Sequence, residues 1–155
     1  MMRFSPSVAV AGVAVAVFSV VAAGVAAPSS TMKLQANLSA KQQKPPQVVK
    51  APNASGQYTG TLVIGKDRGT LTSRLTFSRL SSDPTLAFIR LPKSGKQGQV
   101  VLQICRGKAC KSGVEVTSIL DVGVAKSLSA RKGYVTIETK KNPKGEASSG
   151  VIVRP

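Results

Sequence analysis

Short segments of alternating apolar and polar residues, separated by turns that contain glycine or proline, constrain the fold of this chain more than any other feature. A period of two residues places successive side chains on opposite faces of an extended strand. The segments that we interpret as strands are 32–38, 56–64, 70–80, 85–91, 99–104, 114–119, 134–139 and 147–153. About eight short strands with almost no helix predict an all-β fold, either an antiparallel β-sandwich or a small barrel.

The strand at 85–91 illustrates how the side chains would divide between two faces. Its faces carry Leu86, Phe88 and Arg90 on one side and Ala87, Ile89 and Leu91 on the other. Only 4% of the residues are aromatic, so the core should consist mainly of Val, Leu, Ile and Ala side chains. The residues expected inside include Leu75, Phe77, Val135 and Ile137.

Two connections differ from simple turns. Residues 39–53 contain three prolines and no sustained period, which predicts an extended connection on the surface. The period also loosens between 121 and 131, where the spacing of Val124, Ala125 and Leu128 predicts a short helical turn. Asp121 is the candidate N-cap of that turn.

Glycine-bearing turns join the predicted hairpins. The turn GKDRG at 65–69 combines two glycines with Asp67, which suits a turn with positive φ. In KKNPKGE at 140–146, Asn142, Pro143 and Gly145 occupy positions that they favour in a type I turn. The turn SGKQGQ at 94–99 lacks the spacing of a phosphate-binding loop and is interpreted as a turn only.

The amino-terminal segment 1–27 predicts a signal peptide. A basic start at Arg3 precedes a largely apolar run from 8 to 27, which ends in small residues suited to cleavage. The run is also long enough to serve as an uncleaved membrane anchor, and this alternative stays open. A polar exit at 28–31 would then lead into one domain at 32–155, secreted or located in the cell envelope outside the cytoplasm.

The chain carries a formal net charge of +16, from 22 basic and 6 acidic residues. Such an excess attracts anionic polymers and disfavours self-association. The candidate contacts to a polyanion are Arg90, Lys93, Lys96, Arg106, Lys108, Lys111, Lys140, Lys141 and Lys144. The partner would be an anionic cell-surface or extracellular polymer, or another extracellular protein. Because the lysines are scattered over turns and alternate strand positions, simple solvated charge is the competing interpretation.

The absence of histidine restricts the chemistry that this chain can perform. Without it there is no Ser-His or Cys-His arrangement and the commonest metal ligand is missing, so we predict no catalytic residue, cofactor or metal site. Glu138 and Glu146, on the two arms of the last hairpin, could approach each other as an acid and a base. Balancing the basic surface is the interpretation that we prefer for them.

The cysteines Cys105 and Cys110 enclose four residues, RGKA. In an exported chain this arrangement predicts a disulfide that closes a small loop. A redox pair of the CxxC type needs a shorter gap, and two thiols alone make a poor zinc site.

Three segments resemble the CHRD (chordin) domain family. They are LSAKQQKPPQV with the following ASGQYTG, LTFSRLSSDPTLAFIRLPKSGKQGQVVLQIC, and GYVTIETKKNPKGEASSGVI. The third is the most specific, because it matches the family at Tyr134, Val135, Thr139, Asn142, Pro143, Gly145 and Glu146. The resemblance implies an immunoglobulin-like or superoxide-dismutase-like β-sandwich without established enzyme activity, located outside the cytoplasm.

The chain departs from the family pattern at positions that could have carried chemistry. Phe88 and Arg90 stand where the family usually has His-x-His, and Glu138 stands where it has a histidine before the hairpin threonine. We therefore expect an exported, non-catalytic module with a binding or structural role. A metal-dependent, dismutase-like enzyme is the alternative, against which the missing histidines argue. A membrane-damaging cationic protein is a third, but the charges are not segregated on an amphipathic helix.

Overall fold

The computed structural model describes residues 29–43, 49, 53–94 and 96–145, together with the backbone of 147–150 and 152–154. The predicted signal peptide at 1–27 and the Pro45–Pro46 pair lie outside the described residues. Within the described part, no helix is long and apolar enough to cross a membrane. The description covers most of the domain predicted at 32–155.

The described residues form nine strands that pair in an antiparallel manner. They are β1 Ser30–Ser39, β2 Ser55–Ile64, β3 Arg68–Ser78, β4 Pro84–Lys93, β5 Lys96–Arg106, β6 Val114–Asp121, β7 Tyr134–Thr139, β8 Ala147–Gly150 and β9 Ile152–Arg154. One helix, α1 Val122–Ser129, and two 3₁₀ turns, Ala40–Gln42 and Gly107–Ala109, complete the described fold. The strand predicted at 147–153 is divided into β8 and β9. Strand β1 begins at Ser30, inside the predicted polar exit.

The strands follow the order β5-β4-β7-β8-β1-β2-β3-β6, and β9 also pairs with β1. Strand β8 pairs with β7 and β9 pairs with β1, so the last described segment links the two halves of this order. The halves face each other, because a Cβ atom on Gly56 of β2 would lie 3.4 Å from Cδ1 of Ile137 on β7. The predicted antiparallel β-sandwich is therefore confirmed.

The core between the layers consists of the side chains that the alternation placed inside. Leu75, Val135 and Ile137 are completely buried, and Phe77 is half-buried against them. The removal of these aliphatic groups from water is the main favourable contribution to folding. Strand β7 is unusual because every one of its residues is buried, which means that its outer face is covered as well.

Helix α1 closes one end of the sandwich, at the position where a helical turn was predicted. Ala125 and Leu128 are its buried residues. Asp121 occupies the N-cap position, but its side chain makes no capping hydrogen bond, so that part of the prediction was wrong. A Cβ atom on Gly69 of β3 would come within 2.6 Å of the Ala125 Cβ, so the helix packs on β3 only because residue 69 is glycine.

The turns between strands are partly as predicted. At the last hairpin, the Gly145 N–H donates to the Asn142 carbonyl at 3.1 Å, which is the hydrogen bond expected of the predicted turn. At the β2–β3 turn the Gly65 N–H donates to the Arg68 carbonyl at 2.9 Å. No residue from Gly65 to Gly69 has a positive φ, so the predicted left-handed conformation was wrong there.

The described residues of the connection at 39–53 lie partly on the surface and partly against the sandwich, since Lys41, Gln42 and Asn53 are exposed. Ala40 and Gln43 are buried, and the Ala40 N–H donates to the Ala54 carbonyl at 3.0 Å. The predicted surface connection is therefore contradicted at these positions, where the chain packs over the sandwich.

We expect Gly69→Ala to lower the free energy of unfolding by about 1–3 kcal/mol, because the new methyl group must displace Ala125 or the strand backbone. Gly123→Ala is the matched control, since a Cβ at that helical position meets nothing within 4 Å. The control should stabilise the protein by up to about 1 kcal/mol through helix propensity. Urea denaturation measures both values. Equal stability of Gly69→Ala and the wild type would contradict the close packing of α1 on β3.

Burial raises the pKa of Tyr58 from its ordinary value of 10.0 to about 12, and the nearby Ser73 hydroxyl offsets only part of that effect. The folded state therefore resists ionisation of a phenol that ionises near 10 once unfolded. Relative to Tyr58→Phe, the wild type should lose about 2 kcal/mol of stability as the pH rises from 10 to 12. Denaturation of both proteins at several alkaline pH values tests this. Parallel pH profiles would show that Tyr58 ionises freely in the folded protein.

Candidate functional site

Three loops meet at the end of the sandwich opposite α1. They are the β3–β4 loop at 79–83, the β5–β6 loop at 107–113 and the start of the β7–β8 loop at 140–142. They come together because their strands are neighbours in register: Pro84 pairs with Thr139, and Leu86 pairs with Arg106. Antiparallel pairing thus brings loops from distant parts of the sequence to one end.

Hydrogen bonds tie these loops to each other. The Phe77 N–H donates to Ser112 Oγ at 2.9 Å, which joins the end of β3 to the β5–β6 loop. The Lys141 N–H donates to Ser82 Oγ at 3.3 Å, which joins the β3–β4 and β7–β8 loops. The loops therefore form one connected surface.

This surface, which we call the basic end, carries a cluster of exposed cations. Its members are Arg79, Arg106, Lys108, Lys111, Lys140 and Lys141. None of them forms a salt bridge within the described part of the chain. The three loops contain one carboxylate in their sequence, that of Asp83, so their electrostatic potential is strongly positive.

The disulfide predicted from the sequence is present and shapes this end. Cys105 and Cys110 are bonded, with a Cα–Cα distance of 5.0 Å. Between them, Gly107 has a φ of +55°, and its carbonyl accepts the Cys110 N–H at 3.0 Å. Lys108 is therefore presented from a covalently closed loop rather than from a flexible one.

The predicted polyanion contacts do not all lie together. The basic end contains Arg106, Lys108, Lys111, Lys140 and Lys141. Lys93 and Lys96 pair with each other across the β4–β5 hairpin, outside the three loops of the basic end. Lys144 is exposed in the β7–β8 turn, and its carbonyl accepts a hydrogen bond from Gln97 Nε2 at 3.2 Å.

Sequence reasoning missed Arg79. It directly follows β3, and its φ of +57° could not be inferred from its residue type. The predicted strand at 70–80 included this position, whereas in the structure β3 ends at Ser78 and Arg79 begins the loop.

Arg90 belongs to the interior, contrary to its prediction as a surface contact. Its Nη2 lies 2.9 Å from Oε1 of Glu138, and each side chain is 9% exposed. Arg90 Nη1 also donates to the Gly98 carbonyl at 2.9 Å, and Gln97 Nε2 donates to Glu138 Oε1 at 3.3 Å. The guanidinium lies 4.8 Å from the centre of the Phe88 ring, within the range of a cation–π interaction.

The reason for this burial is the start of β5, which crosses the outer face of β4 and β7. The Gly98 N–H donates to the Tyr134 hydroxyl at 2.8 Å, so residues 97 and 98 cover the outward side chains of β7. Register shifts in the β4–β5 pairing accompany this crossing. Glu138 is consequently a buried ion-pair partner and does not balance surface charge as predicted. Glu146, its predicted neighbour, lies outside the described residues.

The outer face of the layer that contains β2, β3 and β6 is polar, and its cations have partners on the same face. Arg74 Nη1 lies 3.3 Å from Oε1 of Glu115, with both side chains exposed. Lys33 Nζ donates to Thr61 Oγ1 at 2.9 Å. These cations have partners close by, whereas the basic end has a large excess of cations over its single carboxylate.

We expect Arg90→Met to lower the free energy of unfolding by about 3–5 kcal/mol, because it leaves the Glu138 carboxylate buried without its cation. The double variant Arg90→Met/Glu138→Leu should cost less than Arg90→Met alone, since it removes both charges. Arg74→Met is the matched control for an exposed pair and should cost less than about 1 kcal/mol. Chemical denaturation provides the values. Additive costs of the two interior substitutions would contradict a coupled ion pair.

Among the described residues, the Cys, Asp and Glu side chains form no group of three that could hold a metal ion. The chain lacks the histidines that are usual at three positions in the family it resembles, and these three positions lie close together in the structure. Phe88, Arg90 and Glu138 are neighbours on β4 and β7, joined by the ion pair and the ring contact.

Comparison with known proteins agrees with the resemblance found in the sequence. The family model described as the CHRD domain matches residues 34–149. Searches among curated proteins and among solved structures gave no significant match. The matched range runs from within β1 through most of β8, which includes the buried ion pair, the disulfide and the basic end. This chain therefore belongs to the CHRD domain family.

Proposed function

We propose that this protein is an exported, non-catalytic module that binds anionic polymers at or outside the cell envelope through its basic end. The CHRD domain is a non-enzymatic β-sandwich module, which supports a binding or structural role. The observation that carries the proposal is the grouping of Arg79, Arg106, Lys108, Lys111, Lys140 and Lys141 on three connected loops.

The geometry of the basic end favours binding over simple solubility. Its cations make no salt bridges within the described residues, so a polyanion would not have to displace any of the described carboxylates. The disulfide closes one loop and hydrogen bonds connect the others. A preorganised surface loses less conformational entropy on binding than a set of independent side chains on flexible loops.

Two features support a location outside the cytoplasm. The segment 1–27 has the pattern of a signal peptide or membrane anchor. The bonded pair Cys105–Cys110 suits an oxidising compartment, where disulfides persist. The alternative, a metal-dependent enzyme of the dismutase type, has no support from the comparisons, and nothing in the described side chains favours it.

The test is to reverse four charges at the basic end with Lys108→Glu, Lys111→Glu, Lys140→Glu and Lys141→Glu. Binding to immobilised inorganic polyphosphate should weaken at least about tenfold at low salt, because each lost contact removes an electrostatic attraction. The slope of log affinity against log salt concentration should also fall by about three to four, by analogy with other polyanions.

The matched control reverses four exposed lysines that lie outside the three loops: Lys33→Glu, Lys66→Glu, Lys126→Glu and Lys132→Glu. It changes the net charge by the same amount, so its smaller effect would assign binding to the basic end. Equal weakening by the two variants would show that binding depends on the total charge of the protein and not on the basic end. Binding by the wild type that does not change with salt would refute the electrostatic mechanism.

A further inference from the structure

A cleft of about 340 Å³ opens within the basic end. Its lining residues are Phe77, Ser78, Arg79, Leu80, Ser82, Asp83 and Pro84. Lys141 lies beside it, because its N–H donates to the Ser82 hydroxyl. We call this the Arg79 cleft. It contains apolar, cationic and anionic groups together, which a surface that attracts polyanions by charge alone does not need.

Arg79 occupies an unusual conformation at the edge of this cleft. Its φ of +57° lies in the left-handed region, which is uncommon for residues other than glycine. Its Nη2 donates to Ser55 Oγ at 3.4 Å, which directs the guanidinium toward β2. Backbone conformations of this kind cost free energy and concentrate at binding and catalytic sites.

Asp83 is the residue that distinguishes this cleft from a simple cationic surface. Its carboxylate is exposed and forms no salt bridge within the described residues, although Lys140 and Lys141 lie in the adjoining loop. A carboxylate repels phosphate or carboxylate groups but accepts hydrogen bonds from hydroxyl groups. A ligand that pairs with both Arg79 and Asp83 therefore presents negative charge together with hydrogen-bond donors, and hydroxyl groups are such donors.

The apolar part of the lining points to the same class of ligand. Phe77, Leu80 and Pro84 are half-buried, so part of each side chain faces the cleft. Such groups suit the C–H faces of a sugar ring, and ligand sites typically combine apolar walls with a few polar groups that fix orientation. Phosphate chains have no apolar surface to place there.

We propose that the Arg79 cleft binds a sugar unit of an acidic polysaccharide, a proposal that rests on the polyanion binding proposed above. Arg79 and Lys141 attract the carboxylate of the sugar, Asp83 accepts hydrogen bonds from its hydroxyl groups, and Phe77 and Leu80 contact the ring. The neighbouring cations of the basic end hold the rest of the polymer by charge.

The experiment compares two probes, polygalacturonate and inorganic polyphosphate, with the wild type and Asp83→Ala. Loss of the carboxylate should weaken binding to polygalacturonate about 5- to 20-fold, because a charged hydrogen-bond acceptor is removed. The same variant should bind polyphosphate as well as the wild type or up to about fivefold tighter, because a like charge is removed. Asp67→Ala, which removes an exposed carboxylate at the opposite end, is the matched control and should not weaken either interaction.

A second variant, Arg79→Gly, tests the cleft without endangering the fold, because glycine adopts the φ of +57° readily. It should retain the stability of the wild type and weaken polygalacturonate binding about tenfold or more, through loss of a charge-assisted contact.

The outcomes separate the two proposals. If Asp83→Ala tightens binding to both polymers equally, the carboxylate only repels anions, and the sugar site is refuted while polyanion binding stands. If the wild type binds neither polymer in a salt-sensitive manner, the proposed function itself fails, and the sugar site fails with it. Opposite signs for the two polymers would support the sugar site.

Discussion

The two layers of this domain are packed together by small aliphatic side chains, and this close contact governs much of the rest of the structure. With few aromatic residues available, the layers meet through leucine, isoleucine, valine and alanine. Gly56 lies opposite Ile137, and Gly69 lets Ala125 of the helix approach β3. Interiors packed in this way tolerate little change in volume. The strand ends, and the loops that leave them, are therefore held in defined positions.

Defined strand ends explain how charges that are scattered in the sequence become a surface. The basic end draws its cations from three loops, and antiparallel pairing of β4 with both β5 and β7 brings those loops together. The disulfide acts on the same end by closing the loop that carries Lys108. The scaffold thus determines where the positive charge is concentrated, and the aliphatic core has an indirect part in the polyanion binding that we propose.

The buried ion pair plays a different part from the exposed cations. Arg90 and Glu138 lie under the crossing start of β5, with Gln97 and Gly98 as further hydrogen-bond partners. A pair of this kind is costly to bury and costly to break, because each charge loses water and depends on the other. Its role is to seal the outer face of β7. Arg90 and Glu138 stand at positions where the family that the sequence resembles usually has histidine.

Much of the fold could be predicted from the sequence, because the alternation of apolar and polar residues along a strand depends only on residues that are neighbours in the sequence. It identified Leu75, Val135 and Ile137 as interior and located the helical turn at Ala125 and Leu128. The spacing of Cys105 and Cys110 was equally local, since a disulfide across four residues needs no knowledge of the distant chain. The turn at Gly65 was less predictable, because its composition allowed a left-handed conformation that the backbone does not use.

The sequence by itself determined the strands, the face on which each side chain lies, the disulfide loop and the excess of positive charge. Only the tertiary structure decided which of those charges meet solvent and which meet each other. Arg90 and Glu138 are 48 residues apart in sequence, and alternation assigns each to an outer face without saying what covers that face. The basic end has the same origin. Its members are joined by strand register, which depends on the pairing of whole strands rather than on any short pattern of residues.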